Sequence, residues 1–258
     1  MNMSLSESLF QRAKVAHMAS RYADVVRSVK QMIENDIMLP VEVIDMMQIA
    51  YKALVVKCQN QIRNIEKCSE DSREMARLKN SKIFDLKQKI RNLCVSVFTI
   101  ISDKVLPFQQ STDIRMVCYK INGDFNNLLS RNVGYMGWSL RINETIEAYN
   151  TALKLSKRIS DFNKDKEMLI LNYSSYKWHI LKDKTGAINI AQEGLSDALD
   201  LKKRINSKQL SLLNIFIKEL QRKLTIWGNF QMSKDMRYLT SGESGLKRAN
   251  VDQQNTTP

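Results

Sequence analysis

Apolar positions recur along most of the chain at steps of three and four residues, the period of a helix with one buried face. The clearest instance runs over residues 21–63. There, a helix over about 21–34 is followed by the turn Asp36-Ile-Met-Leu-Pro40 and then by a longer helix. Pro40 suits the first helical position, where its missing N–H costs nothing. In the longer helix Ile44, Met47, Tyr51, Leu54, Val55, Cys58, Ile62 and Ile65 form a stripe expected to be buried. Lys52, Gln59 and Arg63 share a different, polar and partly basic face, able to line a groove. The same pattern predicts helices over residues 5–19, 41–68, 74–106, 112–131, 138–159, 166–181, 187–203 and 207–230, for nine in all. A break at residues 132–137 divides the series into two halves. No recurring signature marks a helical repeat array. From about Ser233 onward apolar periodicity ends, so residues 1–232 are expected to form the helical domain and 233–258 a flexible polar tail.

Composition agrees with an all-α chain. Of 258 residues only 8 are Gly and 3 Pro, while 43% are apolar. The 13 Met suit an adaptable core. No apolar run reaches the roughly eighteen residues of a membrane span, and the N-terminus lacks a secretory pattern, so the cytoplasm, with access to the nucleus, is the expected compartment. Cys58, Cys68, Cys94 and Cys118 are scattered and read as reduced, mostly buried thiols. With only His17 and His179 besides, no metal site or cofactor is expected, and no catalytic motif is present. The formal charge of +13 would attract phosphates, nucleic acid or acidic membrane. The basic residues are dispersed, however, which fits solvated helix faces better than specific nucleic-acid recognition.

Several blocks resemble 14-3-3 proteins in order and spacing over residues 5–230. They are Arg21-Tyr-x-Asp-Val-Val with the Leu39-Pro40 turn and Ala50-Tyr51-Lys52; Tyr119-Lys120-x-Asn-Gly123-Asp124-Phe125; Leu171-Asn172-Tyr173-Ser174; and Leu224-Thr225-Ile226-Trp227. The resemblance implies nine antiparallel helices in a bundle with a concave groove, dimeric, acting as an adaptor that binds phosphoserine or phosphothreonine segments of client proteins. The basic charge departs from the acidic character typical of the family.

The family's phosphate pocket consists of a lysine, two arginines and a tyrosine hydroxyl. The resemblance places these on Lys52, Gln59, Asn127 and Leu128, so only the lysine is kept. Arginine forks bring permanent charge and several donors, which Gln59 and Asn127 bring only in part and Leu128 not at all. At about 1.5–3 kcal/mol per charged hydrogen bond, losing two arginines costs roughly 3–6 kcal/mol. Against about −8 kcal/mol for micromolar binding, phosphate reading falls toward millimolar. Arg63, one turn beyond Gln59, offers partial substitution. Asp124 is expected to pair with Lys52, and His179 replaces a glutamate that supports the family's arginines.

Of two asparagines that hold the peptide backbone in the family, one is matched by Asn172 and the other position holds Lys223. The apolar groove wall keeps Leu171, Ile215 and Phe216, with Ser175 and Glu219 replacing apolar residues. At the family's dimer interface Arg21 and Asp24 are kept, whereas the partner positions hold Asp85 and Lys89 with signs exchanged. A homodimer would then pair Arg21 with Asp85 and Asp24 with Lys89, and reject conventional members by like-charge contact. The tail, with Thr240, Ser241, Ser244, Thr256 and Thr257, is a candidate internal ligand. The sequence therefore points to an adaptor with weakened or altered phosphate recognition. The alternatives are a basic helical module for nucleic acid or acidic membrane, and a purely structural dimerisation subunit; Lys52 and Asn172 can also be read as inherited structural residues, and Arg21, Asp24, Asp85 and Lys89 as solvated surface charges of a monomer.

Overall fold

The computed structural model of the chain describes residues 4–69, 72–109, 111–132, 138–206 and 209–228. Among them are only helices and connections: α1 (Leu5–Met18), α2 (Tyr22–Glu34), α3 (Val41–Glu66), α4 (Arg73–Thr99), α5 (Thr112–Ser130), α6 (Trp138–Ser156), α7 (Lys164–Tyr176) and α8 (Lys184–Lys202). A ninth, α9, covers residues 209–228. The chain is all-α, as the periodicity requires.

Local chemistry fixes the helix starts. Ser4 accepts the Glu7 N–H (3.2 Å) ahead of α1 and Ser72 accepts that of Met75 (3.1 Å) ahead of α4. Asn163 caps α7 by accepting from the N–H groups of Asp165 and Lys166, and Asp183 caps α8 through Gly186. These caps set both helices two or three residues earlier than apolar periodicity alone suggests. Pro40 is the N-cap residue of α3, with extended backbone, and the helix proper begins at Val41. At the end of α4 the backbone widens into a π-helical segment, Ile100–Val105, and tightens into the 3₁₀ turn Leu106–Phe108 around Pro107. α7 likewise runs into a π turn, Lys177–Leu181, and stops at Lys182 in the left-handed region (φ 59°).

The chain divides into two compact units after Ser160. The boundary thus falls one helix later than the break at 132–137 suggests, a segment whose residues 133–137 lie outside those described. The reason is the tight pairing of α5 with α6. Gly123 faces Tyr149 so closely that an added Cβ would lie 2.6 Å from its ring.

In the first unit, α1 to α6, the expected stripe of α3 is buried at Ile44, Met47, Tyr51, Val55, Cys58 and Ile62, while Leu54 and Ile65 are half-buried. Cys58, Cys94 and Cys118 are buried and Cys68 exposed. Burial pushes the Cys94 and Cys118 thiols up to about 12, partly opposed by Arg141 and Arg115 respectively.

In the second unit α7, α8 and α9 close around Trp178, Ala187, Ala191, Leu213, Leu220 and Trp227. Gly194 of α8 lets that helix approach α7, since a Cβ there would lie 2.6 Å from Ile170. The rings of Trp178 and Trp227 stack at 4.8 Å and 12°. The proposed tail, residues 233–258 with its five Ser and Thr candidates, lies outside the described residues.

Candidate functional site

In the first unit the candidate phosphate-pocket residues sit on α3 and α5. The expected pair is present: Lys52 Nζ donates to Asp124 Oδ2 at 2.5 Å. Around it is a network that the sequence reading missed. Lys120, itself buried, lies 3.5 Å from the same oxygen and 3.4 Å from Gln48 Oε1. The Tyr149 hydroxyl donates to Asp124 Oδ1 at 2.7 Å. Burial alone would raise the Asp124 carboxyl, but the charges of Lys120 and Lys52 and the hydrogen bonds from Lys52 and Tyr149 outweigh it and hold it below the usual carboxylate value. The four-residue step from Lys120 to Asp124 puts them on one helix face, a signal available in the sequence. Tyr149, on another helix, gave none.

The remaining pocket positions turn to local partners. Gln59 is half-buried, and Arg63 is exposed and donates to Asn60 Oδ1 at 2.5 Å. Asn127 Oδ1 accepts from Arg131 Nε at 3.0 Å, and Leu128 is a half-buried apolar side chain.

The second unit gathers the groove positions on α7 and α9. Leu171 and Asn172 are half-buried, Phe216 is buried and Ile215 is 65% exposed. Lys223 Nζ donates to Ser175 Oγ (2.9 Å) and lies 3.7 Å from Glu219 and 5.6 Å from the centroid of the Trp227 ring. Burial lowers the Lys223 pKa against the opposing pull of Glu219. Glu219 is gripped by both Nε and Nη2 of Arg222, at 2.9 and 2.8 Å. The substitutions at Ser175, Glu219 and Lys223 therefore form one polar group rather than three separate losses. His179 is exposed.

Between α7 and α9 lies an open cavity of about 500 Å³, with Met168, Leu171, Leu212, Ile215 and Phe216 supplying apolar surface. Glu167 also lines it and is 6% exposed. Burial pushes its carboxyl up to about 7, with Lys166 opposing and Asp197 adding to the rise. Sequence reading passed over Glu167 because it sits at an apolar step of α7 and carries no motif.

The candidate dimer residues all belong to the first unit. Asp24 is bracketed by Arg21 (2.5 Å) and Arg27 (2.9 Å) beside a cavity of about 440 Å³ between α1 and α2. Asp85 and Lys89 line a second cavity, of about 320 Å³, together with Lys30 and Tyr51. Among the described residues no cluster of three or more His, Cys, Asp or Glu could hold a metal, and no helix is long and apolar enough to cross a membrane.

The family model described as 14-3-3 protein matches residues 12–228. The chain is 23% identical over 225 residues to 14-3-3 protein zeta of Bombyx mori, covering 86% of this chain and 91% of the relative. It is 23% identical over 243 residues to 14-3-3-like protein 1 of Caenorhabditis elegans, covering 93% and 98%. A 14-3-3 protein homolog of Neospora caninum is 21% identical over 259 residues, covering 95% and 97%.

Proposed function

The chain belongs to the 14-3-3 family, and from that premise we propose that it is an adaptor whose recognition of phosphate is weakened or altered. Membership implies an adaptor that binds client proteins, and the family's proteins are adaptors rather than enzymes. The observation that carries the reading is the state of Lys52. It is the phosphate ligand that remains, and it is held 2.5 Å from a buried carboxylate while Gln59, Asn127 and Leu128 occupy the other positions. A phosphate approaching Lys52 must compete with Asp124 and finds no arginine fork at those three positions. The groove residues Leu171, Asn172, Ile215 and Phe216 carry the client segment instead.

The test is a peptide library with phosphorylated and unphosphorylated copies of each sequence. Comparable binding of both copies is the expected result. A strong preference for the phosphorylated copies, abolished by Lys52→Glu, would show a rebuilt pocket and overturn the reading.

A homodimer with exchanged charges belongs to the same proposal. α1 exposes Leu5, Val15 and Met18, and α4 exposes Met75, Leu78 and Phe84. Burying those side chains against a second copy removes apolar surface from water. Arg21 would meet Asp85, and Asp24 would meet Lys89, of the second copy. Asp24 already has two arginine neighbours, so only the surplus guanidinium is available for Asp85.

A further inference from the structure

The cavity between α7 and α9 joins apolar walls to a basic lining. Its walls are apolar, with Met168, Leu212 and Ile215 all partly or largely exposed. Its charged lining consists of Lys164, Lys218 and Arg222, facing Glu167 and a Glu219 already gripped by Arg222. The volume, about 500 Å³, lies within the roughly 300–1,000 Å³ of ligand pockets. Lys164 and Lys218 are both exposed and line the cavity beside its apolar walls. Glu167 also lines the cavity and is buried.

From this arrangement, and resting on the adaptor reading above, we infer that the α7–α9 cavity takes an unphosphorylated apolar protein segment bearing carboxylates, with Lys164 and Lys218 as its charged contacts and Glu167 in its lining. Charge decides the class of segment. Lys164 and Lys218 attract carboxylates flanking the inserted apolar side chains, and a basic segment would meet them at a loss. The apolar walls separate such a client from nucleic acid, which offers no aliphatic side chains to fill the trough.

The groups around Glu167 then couple binding to protons. Lys166 on its own helix favours the ionised form; Asp197 of α8 opposes it; Lys164, Lys218, Arg222 and Glu219 share the cavity. An occupant covers Glu167 further and brings negative charge toward it, so both changes favour the protonated acid. Burial already raises the Glu167 carboxyl to about 7. An occupant that requires the neutral form therefore binds about tenfold tighter at pH 6 than at pH 8.

The probe is a labelled peptide with leucines at helical spacing and glutamates between them, followed by fluorescence anisotropy with the full chain. Copies carrying lysine or phosphoserine in place of glutamate, and anionic phospholipid vesicles, complete the set. The glutamate peptide should bind at least tenfold tighter than the lysine copy, with the tenfold pH dependence. Glu167→Gln should keep the binding and lose the pH dependence. Lys164→Glu with Lys218→Glu, both on exposed positions, should reverse the preference toward the lysine copy. Binding of the phosphoserine copy alone overturns the inference while leaving the adaptor reading intact. Equal binding of the glutamate and lysine copies, or a pH dependence that survives Glu167→Gln, also overturns it. Binding of the vesicles with no peptide bound overturns both the inference and the adaptor reading.

Discussion

Lys52 and Asp124 stand seventy-two positions apart in sequence and 2.5 Å apart in space. Their pairing joins α3 to α5 and makes the remaining lysine of the phosphate pocket part of the core's electrostatic balance. Asp124→Asn should therefore act mainly on stability. It leaves Lys120 buried without its carboxylate, a change worth about 3–5 kcal/mol for a broken buried pair. The midpoint of urea unfolding reads it. The sign with pH follows from the lowered Asp124 value: its contribution is full above about pH 4, the ordinary aspartate value, and is lost as pH falls through the lower folded value.

Restoring guanidinium groups at the two substituted positions should restore phosphate reading. Gln59→Arg together with Asn127→Arg is expected to gain roughly 3–6 kcal/mol for a phosphorylated peptide and nothing for its unphosphorylated copy. Titration calorimetry with the pair of peptides distinguishes a restored pocket from a general increase in charge.

Glu167 makes the fold less stable at neutral pH than it would be with an uncharged side chain. A carboxyl near 7 in the folded chain and about 4.5 unfolded keeps its proton on folding, so the contribution of Glu167 to stability is full below about pH 4.5 and is lost as pH rises through 7. The decline amounts to about 3 kcal/mol. Glu167→Gln should remove this slope and be the more stable protein at pH 8, as thermal melts at several pH values would reveal.

Gly123→Ala tests the contact that ties α5 to α6. Its new methyl would sit 2.6 Å from the Tyr149 ring, forcing that ring and its hydrogen bond to Asp124 to shift. A loss of about 1–3 kcal/mol is expected, as for other overpacked sites. Tyr149→Phe, which removes only the hydroxyl, should cost less.

The proposed homodimer brings basic surfaces together, because Arg12, Arg21 and Arg27 outnumber Asp24 around one cavity and Lys30 and Lys89 outnumber Asp85 around the other. Added salt screens this repulsion and should strengthen self-association, the reverse of an interface held mainly by ion pairs. Asp85→Lys should abolish it. Sedimentation at low and high salt measures both effects, and a dimer that survives Asp85→Lys would contradict the assignment.

The helices were legible in the sequence because each keeps a 3.6-residue apolar period, and the starts of α7 and α8 were misplaced because Asn163 and Asp183 act through caps rather than periodicity. Lys52 and Asp124 could be paired from their blocks alone. The buried ammonium of Lys120 and the Tyr149 hydroxyl could not, since a lysine or tyrosine at a helical step looks the same whether it faces solvent or a carboxylate. Glu167 was equally hidden. Its environment comes from side chains on α9, more than forty positions away, and only packing reveals that a carboxyl has been enclosed among them.

The stacked indoles of Trp178 and Trp227 give the protein its own optical probe. Lys184 Nζ lies 3.8 Å from the centre of the Trp178 ring, while Lys223 Nζ lies 5.6 Å from that of Trp227 and hydrogen-bonds Ser175 among the groove residues. A cation over an indole shifts its excited-state charge distribution, so a client that draws Lys223 away from Ser175 changes the colour and yield of the emitted light. Occupancy of the second unit can thus be followed by intrinsic fluorescence, with no label attached and no residue altered.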